Sequence, residues 1–147
     1  MRILTLWQPW ATLMALGEKR IETRSWATKY RGPLAIHAAK GGLGVRELNA
    51  FVLSEPLLKT ALMGQTLTAG CIVAVVNLRD CATTNSLYQF LSAKERKFGD
   101  YAPGRFGWLT ENLFRLPEPI PYKGSQGLGI VSPGVVEMIR AQREQRP

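Results

Sequence analysis

The sequence predicts an α+β fold, a small mixed β-barrel surrounded by short helices, and three observations lead to it. Strand-like runs outnumber long helical ones. The clearest of them, "GCIVAVVNLRDC", is a β-branched stretch too apolar to lie at a polar surface and so belongs at the centre of a sheet. The strands are also interrupted by helices without the regular spacing of a doubly wound sheet. At 147 residues the chain fits one domain, residues 1–147, long enough to bury a core without metal or disulfide support.

The elements follow in order. "ILTLW" (3–7) reads as a strand. Gln8-Pro9 then opens a helix that runs to about Leu16, because proline at a helix start gives up an N–H that has no partner there anyway, and Gly17 supplies the stop. Residues 19–25 look extended, favoured by Ile21 and Thr23. A turn at Arg31-Gly32 leads to a strand from Pro33 to about Ala39, apolar enough to be buried on both faces. Gly41, Gly42 and Gly44 form a break. Residues 44–63 have helical spacing at Val45, Leu48, Phe51 and Val52, divided by Pro56 into two short helices. After the central strand, 83–103 reads as a helix or two and the loop "GDYAPG". "RFGWLTENLFRL" is a strand whose alternation is interrupted at Glu111-Asn112, and "PEPIPYKG" is a proline-rich connector suited to an edge or crossover. A strand "LGIVS", a helix from about Pro133 and a basic tail complete the chain.

Composition narrows the partners. Apolar residues at 46% and charged residues at 20% suit a soluble globular protein, and no apolar run approaches the ~18 residues of a membrane span, so no membrane partner is expected. The start "MRILTLWQPW" lacks the apolar stretch and cleavage site of a secretory signal, which leads to an expected cytoplasmic location. Cys71, Cys81 and the single histidine, His37, offer neither a zinc site nor a disulfide framework, and no cofactor is read from the sequence. Nineteen Lys and Arg against eleven Asp and Glu leave a net charge of +8. That balance suits a polyanion, whose phosphates release counterions on neutralisation, although basic charge also serves solubility alone.

The stretch "LWQPWATLMALGEKRIETRSW" packs Trp7, Trp10 and Trp26 around a knot of charge, a mixture suited to a cleft. On an ideal strand, alternation puts Arg20, Glu22, Arg24 and Trp26 on one face and Lys19, Ile21, Thr23 and Ser25 on the other, with Ile21 marking the core side. Glu22 then lies between two guanidiniums and can hold one in a fixed fork for a phosphate or base edge. The plainer alternative is a surface salt bridge worth less than ~1 kcal/mol. Aromatic faces beside cations are what single-stranded nucleic acid needs, since bases stack on rings while cations track the backbone. Large rings are also ordinary core anchors, and at least two of the four tryptophans are assigned to the core. Tyr30 and Arg31 are the better candidates for exposed contacts. Lys19 beside Glu22, with a hydroxyl from Thr23 or Ser25, offers a base and a nucleophile. His37, without a second histidine or a carboxylate near it in sequence, reads as structural, and the glycines of "KGSQGLG" match no phosphate loop.

The segment "LWQPWATLMALGEKRIETRSWATKYRGPLAIHAAK" closely resembles the ASCH domain, the module named for homology to activating signal cointegrator 1. Its hallmark, G-x-K-x-x-E-x-R, is matched by Gly17, Lys19, Glu22 and Arg24, and similarity extends through "IVAVVNLRDC", "GRFGWLTEN" and "PIPYKGSQGLG" to nearly the whole chain. The resemblance implies a PUA-like fold, with the motif lining a cleft beside the barrel and RNA or DNA as ligand. The expected nucleic-acid contacts are Gln8, Trp10, Lys19, Glu22, Arg24, Ser25, Trp26, Lys29, Tyr30, Arg31 and Lys40, with single-stranded RNA the favoured partner. An enzymatic alternative also follows from the resemblance. Some relatives are ribonucleases, and a short bacterial group hydrolyses N4-acetylcytidine with a Lys, a Thr and a Glu. Here that points to Lys19, Thr23 and Glu22, although in those hydrolases the threonine stands three residues after the lysine, the place Glu22 occupies in this chain.

Overall fold

The computed structural model describes residues 1–147. The chain runs β1 (Arg2–Leu6), α1 (Trp10–Leu16), β2 (Ile21–Arg24), β3 (Gly32–Ala38), α2 (Val45–Ser54), α3 (Pro56–Leu62), β4 (Cys71–Thr83), α4 (Thr84–Leu87), a 3₁₀ turn (Tyr88–Phe90), α5 (Ala93–Lys97), β5 (Phe106–Pro121), β6 (Leu128–Ile130) and α6 (Pro133–Glu144). The six strands form one mixed sheet in the order β2-β5-β4-β3-β1-β6. The only parallel pair is β1 with β3, in register from Arg2 opposite Leu34 to Leu6 opposite Ala38. β2 and β6 are the free ends, so the sheet curls as a half-barrel.

Burial explains the strand patterns. One face of the sheet joins Leu4, Leu6, Leu34, Ile36, Val76 and Trp108 to Ala11, Met14 and Ala15 of α1. The other joins Ile3, Ala35, Val75, Phe114 and Ile120 to Ile139 of α6. With a helix on each side, β3 and β4 are buried on both faces, which is why they read as continuous apolar runs. A third cluster, Leu13, Leu58, Leu62 and Phe98, seats α1 on α3 and on the end of α5. α1 stops at Gly17 with φ +76°, a left-handed conformation in which its N–H bonds back to Leu13 and Met14. Pro56 divides α2 from α3, and the Glu55 carboxylate caps α3 by accepting from Leu57 N–H at 3.2 Å.

One element differs from expectation. "PEPIP" is not a connector: it is the end of the sixteen-residue β5, paired with the start of β4 through Ile72–Ile120 and Cys71–Pro121. β2 covers β5 only over Phe106–Leu109, so the proline stretch has an open flank. Pro117, Pro119 and Pro121 stand at alternate positions, and their missing N–H groups fall on one side of the strand. The edge character was legible; the pairing on the other side was not.

Candidate functional site

β2 and the turn before it build the site. After Gly17, the N–H groups of Glu18 and Lys19 both bond to the Leu13 carbonyl (3.0 and 3.2 Å), winding the chain tightly before β2 begins at Ile21. Lys19 is therefore not part of the strand, and the expected alternation does not reach it. Its side chain turns inward, 2% exposed, and Nζ donates to the carbonyls of Ile21 and Phe98, each at 2.6 Å. Nζ also lies 3.4 Å from Glu22 Oε2, while Arg24 Nε lies 3.4 Å from Glu22 Oε1. Glu22 is thus held between two cations, one of them from the side that period-two reasoning assigned to the opposite face. Ile21 is only half-buried and does not mark the core side; Thr23 is buried instead.

Arg24 donates from Nη2 to the Thr5 carbonyl at 2.9 Å, tying β2 to the end of β1. Its Nε is buried without a well-aligned acceptor. Thr23 Oγ1 accepts the N–H of Asp100 at 3.0 Å, fixing the loop after α5. Arg105 joins the same wall: Nε donates to the Asp100 carbonyl at 3.1 Å, and its charge pairs with Asp100 Oδ2 at 3.5 Å. Around these groups lie two adjoining cavities of about 310 and 320 Å³ that share Trp10, Glu22 and Thr23. The second opens between Trp7, Trp26, Arg24 and Arg105.

The tryptophans divide as the burial of their rings dictates. Trp108 is wholly buried, donates from Nε1 to the Trp26 carbonyl at 3.2 Å, and meets the Trp26 ring edge-on at 4.7 Å. Trp10 is half-buried against Phe51 and Phe98. Trp7 is 65% exposed and Trp26 36% exposed, so the rings that face solvent in the cleft are these two.

The other residues singled out from the sequence are dispersed. Gln8 is occupied structurally: Nε2 donates to the Thr68 carbonyl at 2.8 Å and Oε1 accepts the Thr12 N–H at 3.0 Å. Ser25 is exposed and lines the cleft beside Trp26. Tyr30 and Arg31 form a separate corner rather than a wall of either cavity. The Tyr30 hydroxyl donates to the Pro33 carbonyl at 2.6 Å, and Arg31 Nη1 donates to the carbonyls of Thr28 and Tyr30. Of this pair the ring is half-buried, so Trp7 is the better exposed aromatic than Tyr30. Lys29 is exposed nearby, and Lys40 lies across Gly70 at the start of β4. His37 is buried, with Nε2 at 2.8 Å from the Tyr122 carbonyl, in the structural role assigned to it.

Sequence reasoning missed Arg105, Asp100, Tyr101 and Glu95. Burial pushes the Tyr101 hydroxyl far above its ordinary range, and the carboxylates of Glu95 and Glu22 push the same way; the hydroxyl has no hydrogen-bond partner. Glu95 is raised above its ordinary 4.5 by burial, with the Arg20 N–H and the charges of Lys19 and Lys94 opposing. The Ser92-x-x-Glu95 spacing was a readable capping-box signal for the helix, but not for where the glutamate would turn. No group of three His, Cys, Asp or Glu side chains is placed to hold a metal, and no helix is long and apolar enough to cross a membrane.

A half-barrel of mixed strands with short helices on both faces and a charged cleft beside its edge strand is a PUA-like module. The ASCH domain profile matches residues 4–120, and the chain belongs to the ASCH domain family. It is 36% identical over 127 residues to activating signal cointegrator 1 of Mus musculus and 36% identical over 129 residues to that of Homo sapiens, in both cases over 83% of this chain. It spans about a fifth (21%) of the length of these relatives. Among solved structures, ASCH from Zymomonas mobilis superposes with a TM-score of 0.58 at 14% identity, covering 95% of this chain and 93% of the other. A point mutant of that protein gives 0.58 at 15% identity over 95% and 96%. At such identities the likeness shows the fold.

Proposed function

We propose that the cleft beside β2 binds single-stranded RNA. The observation that carries the reading is the placing of two solvent-facing indoles, Trp7 and Trp26, around the guanidiniums of Arg24 and Arg105. Rings accept unpaired bases by stacking, and the cations meet the phosphates between them. The net charge of +8 supports the same partner through counterion release. Glu22, held from both sides, positions Arg24 rather than facing the strand as a lone repulsive charge.

Hydrolysis of RNA or of a modified nucleoside such as N4-acetylcytidine in this cleft has less support. Lys19 Nζ spends its hydrogens on two carbonyls and Glu22, and Thr23 Oγ1 is oriented by Asp100, so no free base faces a free hydroxyl.

The test is a fluorescence titration with labelled single-stranded RNA at several salt concentrations, with chelator present and the products run on a gel. Affinity is expected to fall steeply with salt, and Trp7→Ala to weaken binding by the worth of one stacked base, roughly 1–3 kcal/mol. An Arg24→Ala protein that binds as tightly as wild type at every salt concentration refutes the site. Tighter binding of a matched DNA strand moves the assignment to DNA, and cleaved product moves it to the hydrolase.

A further inference from the structure

The largest cavity of the molecule, about 500 Å³, lies apart from the cleft and shares only Lys19 with it. It opens between the turn after α1, the middle of β5 and the segment leading into α5. That volume falls within the ~300–1,000 Å³ typical of small-molecule sites. Its floor is the apolar core, Met14 and Val76, both buried.

Four features of its lining lack the partners that a merely structural role would give them. Glu95 sits in a Ser-x-x-Glu box whose serine cap works normally, Ser92 Oγ accepting the Glu95 N–H at 3.1 Å. The glutamate, which in such a box reaches back to the cap, instead crosses to accept the Arg20 N–H at 2.6 Å. Its second oxygen, Oε2, is buried with no donor at all. A buried acceptor left unmade is costly, and a ligand N–H would satisfy it. The guanidiniums of Arg20 and Arg79 line the same cavity with no carboxylate within 4.0 Å. Phe90, carried out on the 3₁₀ turn, presents a ring that is 80% exposed. Across from it, β5 places two residues, Asn112 and Leu113, opposite Val76 alone, and Asn112 adopts φ +52°. Such bulges re-aim side chains and gather at functional sites.

We propose that this cavity binds a nucleotide whose base carries an exocyclic amine. The amine donates to Glu95 Oε2, the base stacks on Phe90, and the phosphate lies between Arg20 and Arg79. The assignment does not depend on the cleft, because its groups come from other elements.

The probe is cytidine 5′-monophosphate against uridine 5′-monophosphate, followed by backbone amide NMR shifts and calorimetry on the whole chain. The two differ where the amine is replaced by a carbonyl, so wild type is expected to prefer the cytidine nucleotide by about tenfold, the effect of one hydrogen bond to a charged acceptor. Glu95→Gln retains an oxygen for Arg20 N–H and turns a donor toward the ligand, so it should erase or reverse that preference. Arg79→Ala, at an exposed position, should weaken the nucleotide and leave cytidine itself unaffected. An oligocytidylate that binds more tightly than the mononucleotide and depends on Trp7 as well as Glu95 makes the ligand part of a strand crossing both sites; equal affinity makes it a free nucleotide. Equal affinity for the cytidine and uridine nucleotides, no saturable binding, or shifts confined to residues 22–26 overturns the proposal. The last of these outcomes leaves the cleft assignment standing, and loss of RNA binding in Arg24→Ala leaves this one standing.

Discussion

Replacing Lys19 with methionine removes one ammonium and tests what that residue is for. Nζ is the donor for two carbonyls at 2.6 Å and the closest cation to Glu22 Oε2 at 3.4 Å, in a site where only 2% of the residue is exposed. Methionine fills a similar volume, so the packing term is small. What remains is electrostatic. Breaking a buried pair by deleting one partner costs about 3–5 kcal/mol, because the other charge stays buried without compensation, and each carbonyl left without a donor adds to that. An expected loss of about 4 kcal/mol is a large part of the ~5–15 kcal/mol that holds a domain of this kind together. The assay is urea unfolding followed by tryptophan fluorescence, with the buried Trp108 ring as reporter. A second variant, Lys19→Met with Glu22→Gln, removes the stranded carboxylate and should recover a good part of the loss. A Lys19→Met protein that loses less than ~1 kcal/mol refutes the reasoning. So does a double variant no more stable than the single one. If the expected result is obtained, a Lys19 variant that fails in any activity assay reports on folding before it reports on chemistry, and activities must be compared per folded molecule.

Two further outcomes follow from the same geometry. Gly17→Ala puts a Cβ 3.4 Å from Leu113 Cδ2, which is tolerable contact, but at φ +76° the backbone itself is strained; a loss of about 1 kcal/mol, read as a melting-temperature drop of ~2–4 °C, is expected. An unchanged melting temperature would remove the turn from the account of the motif. Glu95 holds its proton more tightly when folded than at its ordinary 4.5, because burial outweighs the Arg20 N–H and the charges of Lys19 and Lys94. The folded state therefore binds more protons through the window above 4.5, and the group's contribution to stability declines as pH rises from there to the folded value. Glu95→Gln should gain on wild type across that window in urea titrations at stepped pH, and stability curves that stay parallel would contradict it.

The fold was legible where local chemistry and burial agree. Gly17 ended α1, Pro56 divided α2 from α3, and the β-branched run of β4 lay at the centre of the sheet because each is set by the chain within a few residues. The end of β5 was not, because proline excludes a ladder bond only on the side its nitrogen faces, and which side is covered depends on how short β2 is, a property of another segment. The same distinction divides the site. Arg24, Glu22 and the cleft tryptophans were found from charge and ring spacing within one stretch. Arg105, Asp100 and Glu95 were not, since they reach β2 from about 75 to 82 residues away through contacts no local pattern announces.

The pairing of rings with ions near the start of the chain then has a physical explanation in which the ions are mostly framework. Gly17 makes the turn, Lys19 bridges that turn to Phe98 and to Glu22, and Arg24 anchors to the Thr5 carbonyl. Each G-x-K-x-x-E-x-R side chain is thereby committed to another part of this protein, and together they fix the end of β1, the start of β2 and the loop after α5 around one cavity. The surfaces left free for a partner are those the motif does not contain: the indole of Trp7, the face of Trp26 not taken by Trp108, and the remaining nitrogens of Arg105. A framework of this kind costs several buried charges, and it is stable only while all of them remain paired. The motif should consequently be sensitive to substitution through the shape of the cleft, whereas the rings around it should be sensitive through affinity. Comparing the two classes of variant at equal folded fraction separates what builds the site from what touches the ligand.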